Sequence, residues 1–289
     1  MKYSPFSIKH LQQTFGFHFL RFCMGVVILI LIVVFHDIFS KGFGIISWEF
    51  LTTAPRKGMT EGGIYPAIVG TFYVTVLTAI FSVPLGMGCA IYLNEYAPDS
   101  KLTRLIRMSI RNLSGVPSIV YGLFGVALFV ELFKLGTCLL ASGLTLGLMT
   151  LPWTITASEE ALKSVPRSYR EGSLALGATQ WQSIRTNVLP YAVPGMLTGI
   201  ILGLARAAGE TAPILFTGAA FYLPFLPESL SDQFMALPYH LYIMSTQHHA
   251  ITQVRPIAYG TALVLIVLVF LLNLSAVVLR YQLRKRYRE

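Results

Sequence analysis

An arginine and a glutamate four residues apart, Arg206 and Glu210, stand inside an otherwise apolar stretch from Val193 to Phe216. Charge deep in a membrane helix is costly, and where it occurs it points to function. Counted from Val193, Arg206 lies roughly 20 Å along a helix, past the middle of a bilayer entered from the cytoplasmic side. A spacing of four puts both side chains on one helical face, within pairing reach. The order, Arg before Glu, is the weaker one for an isolated helix, so helix stabilisation is a poor reason for the pair. Two readings stand. The pair is self-neutralising and faces another helix, or the guanidinium meets an anion. A planar fork of donors matches a tetrahedral oxyanion, and Glu210 would hold Arg206 while the site is empty. Thr211 and Pro213 follow, a hydroxyl and a helix breaker beside the site. Ser118 and Tyr121, from the third apolar stretch, could add neutral donors.

Other chemistry is poorly supplied. His240, His248 and His249 have no carboxylate or thiolate at a ligand spacing, so no metal site is expected. No nucleophile–base constellation appears, and catalysis by this chain is not expected. A Gly-x-x-x-x-Gly-Lys-Ser/Thr run is missing as well. Any ATP and Mg would be bound by a partner, and no cofactor is expected in this chain. Cys23, Cys89 and Cys138 each fall in an apolar stretch and read as packing residues rather than a disulfide framework.

The elements that must position these residues are membrane helices. Of the 289 residues, 54% are hydrophobic and 12% charged, far from a soluble domain. Six stretches suit a bilayer core, near 19–39, 64–93, 113–130, 135–157, 193–216 and 257–279. Residues 1–18 read as a tail and 19–289 as one transmembrane domain. The first stretch lacks a small-residue cleavage site and reads as a retained anchor. The net charge of +9 is a topology signal rather than a nucleic-acid face. With the N-terminus inside, sixteen Lys and Arg fall in inner segments and five in outer ones. That bias places both termini in the cytoplasm. Gly195, Gly199, Gly203 and Ala207 make a smooth strip on the fifth stretch, for close packing or for sliding during gating. Pro84, Pro117, Pro152 and Pro213 predict kinks. Residues 218–255 read as an external loop, with Phe221–Pro227 at the interface.

The segment 159–190 is polar, charged and helix-prone between two apolar stretches. Pro166 begins a short helix carrying Arg170 and Glu171. Gly177 permits a turn, and a second short helix follows Ala178 with Thr179 as its N-cap. A helix–turn–helix knob of this kind suits a partner's cleft.

Glu171, then Gly172 and Ser173, then Gly177, then Leu189-Pro190 resembles the EAA loop of the membrane subunits of binding-protein-dependent ABC importers. The segments Gly62–Thr71, Val83–Gly86, Ala90–Pro98, Gly115–Phe124 and Ala205–Pro213 are similar to the phosphate permeases of that family. The double glycine before Pro66-Ala-Ile favours the PstA type over the PstC type. The resemblance implies an all-α membrane protein of six spans in the type I, MetI-like importer architecture, in a bacterial inner membrane. It implies a PstC-like permease partner, two PstB-like ATP-binding subunits and a periplasmic or lipid-anchored phosphate-binding protein. Phosphate-sensing regulators could join them. Glu171, Gly172, Ser173, Gly177, Ala178, Thr179, Leu189 and Pro190 would form the ATPase-coupling loop, and Arg206 and Glu210 the family's intramembrane pair. Gly172 and Ser173 replace the usual alanines, and Asn187 the usual Ile. Other readings are a permease for phosphonate, sulfate or molybdate, a platform that reports external phosphate to a sensor kinase, or a secondary transporter, which would leave the knob unexplained.

Overall fold

The computed structural model describes residues 8–286. Helices dominate because a chain in lipid must satisfy its backbone internally. Helix α1 spans Ile8–Gly42, and a short α2 (Trp48–Thr52) follows. A two-residue ladder pairs β1 (Pro55–Arg56) with β2 (Glu61–Gly62) in antiparallel register. Helix α3 (Tyr65–Ile91) runs into a π turn at Tyr92–Tyr96. Helix α4 (Lys101–Leu113) then precedes α5 (Ser118–Gly125), which continues as a π turn to Leu132. Helix α6 is Leu139–Lys163, α7 Arg167–Ala175 and α8 Gln180–Ser183. A π turn at Ile184–Val188 leads into α9 (Leu189–Ala207). Then come α10 (Ala212–Thr217), α11 (Leu237–Thr246) and α12 (Ile251–Arg286). Among the described residues, five helices are long and apolar enough to cross a membrane, and there are six spans if α4 and α5, bent by 102°, count as one.

The core lies where α6 packs between α3 and α9. Small residues let these backbones approach. A Cβ on Gly199 would come 2.3 Å from the Cβ of Ala157, and one on Gly195 would come 3.1 Å from that of Ala161. The strip on α9 is therefore a packing seam against α6. Several threonine hydroxyls inside the spans are satisfied locally. Thr71, Thr78, Thr145 and Thr150 each donate to the carbonyl four residues earlier, at 2.6–2.7 Å. The Thr71 hydroxyl also accepts the Leu237 amide at 2.8 Å, tying α3 to α11. Helix α1 lies against α12, and its apolar window is wholly unburied by the rest of the chain.

Several boundaries differ from the sequence expectation. Helix α1 already runs from Ile8, so the tail of 1–18 is helical over its described part; residues 1–7 lie outside the described residues. The third stretch does not begin at Leu113. That residue ends α4, whose Arg104, Arg107 and Arg111 alternate with Leu105, Ile106 and Met108. Pro117, at φ −57° and ψ 140°, breaks the path before α5. The fifth stretch is not one helix either. It stops at Ala207, turns through Ala208–Thr211 and restarts as α10, with Pro213 in the first turn. Pro213 thus starts a helix, where its missing donor costs nothing, rather than kinking one. Residues 159–163 belong to α6, so the polar segment is shorter than 159–190. Residues 218–255, expected as an external loop, carry packed structure of their own. Phe234–Leu237 and Ile243–Met244 are buried, and α11 packs on α12 and α3.

Candidate functional site

Two polar regions stand at different levels of the bundle. The first surrounds Arg206, in the last turn of α9. Its side chain is 53% exposed, and Nε lies 3.5 Å from Glu210 Oε1. The guanidinium sits over the Trp153 ring of α6, 5.3 Å from the centroid. A cation above an aromatic face is attracted by the ring quadrupole, which here fixes the aim of the arginine. Ser118, Tyr121, Thr150, Trp153, Gly203 and Arg206 line one crevice. Helix α10 completes the frame, since Gly122 of α5 lies against Ala212 and Pro213.

The structure thus brings Arg206, Glu210, Ser118 and Tyr121 into one region, with Thr211 at the N-terminal boundary of α10. Two details differ from expectation. Glu210 is not on the α9 helix but just past its end, where the Gly209 and Glu210 amides donate to the carbonyls of Arg206 and Ala207, and it still meets Arg206 at the i, i+4 spacing. The Tyr121 hydroxyl donates to the Leu113 carbonyl at 3.0 Å, so its proton is engaged at the end of α4. Ser118 opens α5 beside the crevice.

The second region is the knob made by α7 and α8, about 24 Å along α9 from Arg206 if the sixteen residues from Pro190 rise at the helical pitch. Glu171, Gly172 and Ser173 lie on α7. The chain reverses at Gly177, whose φ of +86° is a left-handed backbone that glycine adopts without strain. The Ala178 amide donates to the Ser173 carbonyl at 3.1 Å. Thr179 then caps α8 in a full capping box with Gln182. Ser173 and Ser183 are bonded hydroxyl to hydroxyl across the two helices. Leu189 and Pro190 are not part of the knob. They form the first turn of α9, because α8, the π turn and α9 continue into one another. Leu176, 91% exposed, and the exposed Leu174 and Trp181 make an apolar ridge on the knob.

Sequence reasoning missed the polar clamp beneath the knob. Glu95 and Arg170 pair there through two bonds, Nε to Oε2 at 3.0 Å and Nη2 to Oε1 at 2.7 Å. Beside them Arg107 Nε lies 2.8 Å from Glu159 Oε1, Lys163 Nζ lies 2.9 Å from the same oxygen, and Arg107 Nη2 reaches the Leu93 carbonyl at 2.6 Å. The signal was present as charges just past the apolar stretches, but nothing in their spacing paired them. Among the described residues, no group of three His, Cys, Asp or Glu side chains could hold a metal.

A helical knob on a bundle of five or six membrane-length helices suits an importer permease, and the sequence matches such a family. The profile described as binding-protein-dependent transport system inner membrane component covers residues 82–289. The chain belongs to that family. It is 34% identical over 265 residues to a probable ABC transporter permease protein, YqgI, of Bacillus subtilis, covering 88% of this chain and 90% of that one. It is 34% identical over 269 residues to a probable phosphate transport system permease protein PstA of Methanocaldococcus jannaschii, covering 92% and 93%. Among solved structures it is similar to an inward-facing MetNI methionine ABC transporter, with a TM-score of 0.61 at 19% identity over 76% of this chain and 97% of that one. At that identity the likeness shows the shared MetI-type fold. The permease is therefore a multi-pass membrane transport subunit with the architecture expected from its sequence.

Proposed function

We propose that this permease is half of the translocation pathway of an ATP-driven importer for inorganic phosphate. The observation that carries this reading is Arg206. It is a half-exposed guanidinium at the mouth of a membrane crevice, aimed by Trp153 and only loosely held by Glu210 at 3.5 Å. An arginine with donors still free suits an oxyanion. Glu210 and Thr211 lie on the turn beside it, and with Glu210 held only at 3.5 Å the anion would displace it from Arg206 as it enters. The PstA-named relative supports phosphate over phosphonate, sulfate or molybdate.

In this reading the exposed side of the crevice faces a second, PstC-like permease. The knob, with Glu171, Gly177 and the Leu174–Leu176–Trp181 ridge, seats in a PstB-like ATPase, which binds the ATP and Mg. A phosphate-binding protein delivers its cargo to the opposite end. The basic bias supports cytoplasmic termini, on the same side as the knob, in a bacterial inner membrane. The test is uptake of labelled phosphate by cells carrying Arg206→Ala in place of the natural chain. Uptake at the background level, with the protein present in the membrane, is expected; uptake at the natural rate would exclude Arg206 from the pathway.

A further inference from the structure

Helix α7 carries Glu171, yet it buries none of its own side chains. Its ring contact with the bundle is Tyr169 against Tyr191 of α9, 5.3 Å between centroids and exposed at the surface, which holds it less directionally than an ion pair. Its firm attachment is Arg170. The Glu95 side chain is only 6% exposed and that of Arg170 21%. The guanidinium grips both oxygens of Glu95. Its remaining donors reach the carbonyls of Val165 and Leu162, each at 2.9 Å. One side chain thereby binds α7 to the end of α3 and to the end of α6. Glu95 is fixed in turn by the Asn94 amide at 2.7 Å. Its backbone carbonyl accepts the Gln180 amide at 2.5 Å, which brings in α8. Both helices of the knob are therefore tethered to a single residue at the end of the second span.

We infer that Glu95 and Arg170 form a transmission latch, positioning residues through which displacement of the knob is carried to α3 and α6. A bidentate Arg–carboxylate pair is directional and stiff, unlike a point-charge contact, and is suited to transmit rather than merely attract. Helix α3 packs along α6, and α6 carries Trp153 beneath Arg206. Motion at the latch would thus reach the crevice through rigid helices. The inference rests on the proposed ATPase docking of the knob, but its first readout needs neither substrate nor ATP.

The test uses the full complex formed by the natural chain, Glu95→Gln, Arg170→Gln and the double variant. Deuterium exchange is read over residues 167–175, and phosphate moved per ATP hydrolysed is read in the same preparations. Breaking the pair from either side is expected to raise exchange in α7 about tenfold and to lower the transport ratio about tenfold. The double variant should be no worse than the worse single one, because both remove one interaction. Arg170→Lys keeps the charge and loses the fork, and its ratio should fall as in Arg170→Gln. Unchanged exchange in α7, an unchanged ratio, or a double variant equal to the product of the singles would overturn the latch. Exchange across 139–163 reports whether a variant has kept its fold. For one that has not, Gln180→Ala is the milder probe, expected to raise exchange over 180–188; no rise there would also overturn the latch. A natural complex that hydrolyses ATP but moves no phosphate would sink the phosphate reading alone, and α7 exchange would then decide the latch.

Discussion

Arg206 in the last turn of α9 and Glu210 on the turn that follows it approach to 3.5 Å at the i, i+4 spacing. A contact that long between a helix end and a turn is easily exchanged for another partner. This is the geometry needed where an anion must compete with a built-in carboxylate. Glu210→Gln should leave Arg206 without its internal partner. Phosphate uptake in this variant should persist at low external phosphate but turn over several-fold more slowly, since a bound anion is no longer displaced. Uptake measured against phosphate concentration checks this; an unaltered profile would assign Glu210 a structural role.

Trp153 aims the guanidinium. Trp153→Leu removes the cation–π contact, an interaction of about 0.5–2 kcal/mol. Uptake should fall by severalfold with little loss of protein in the membrane. A fall as complete as that of Arg206→Ala would instead mean that Trp153 supports the fold of α6.

The left-handed backbone at Gly177 predicts a specific lesion. No atom stands within 4 Å of the place a Cβ would take, so Gly177→Ala would act through backbone strain alone, at about 1 kcal/mol. The knob should loosen and retain the ATPase less well in pull-down, while the rest of the bundle keeps its thermal stability. Full ATPase retention would show that the turn tolerates the strain.

At the opposite end of the bundle, burial in α11, together with the charge of His248, pushes the His240 imidazole down to about 4. Its folded value is thus depressed below the unfolded one, near 6.5. The neutral ring contributes stability that is fully present above about pH 6.5 and is lost as pH falls towards 4. The full effect is about 3 kcal/mol. Proteolysis of the 218–250 region at pH 7 and pH 4.5 checks this. It should accelerate at low pH in the natural chain and much less in His240→Gln.

Gly70 of α3 tests the packing of that same region. A Cβ there would lie 2.1 Å from the Met235 carbonyl, and backbone cannot move aside cheaply. Gly70→Ala should destabilise the bundle by about 1–3 kcal/mol, read as a lower melting temperature in detergent. An unchanged melting temperature would mean that the 234–237 segment is free to shift.

Much of the fold was legible in the sequence because apolar length is the dominant signal in lipid. The knob was legible too, from Pro166, Gly177 and Thr179, each of which acts locally through a helix start, a turn or a cap. The break at Ala208–Thr211 was hidden because Ala and Gly are apolar and do not interrupt a hydropathy run. Helix α4 was hidden because its last residues merge with the next stretch until Pro117 parts them. The Glu95–Arg170 clamp was out of reach for a different reason: the partners are 75 residues apart, and only the packing of α3 on α6 brings them together. Arg206 and Glu210 were found by their cost in a membrane and by their spacing of four, although the helix itself ends between them.

The measurement that bears most directly on the whole account is uptake of labelled phosphate at micromolar concentration in cells lacking this chain, with and without its restoration, in the presence of excess sulfate or molybdate. Uptake should return only with the chain and resist both competitors. No return, with the protein present in the membrane, would contradict the phosphate assignment while leaving the permease fold in place.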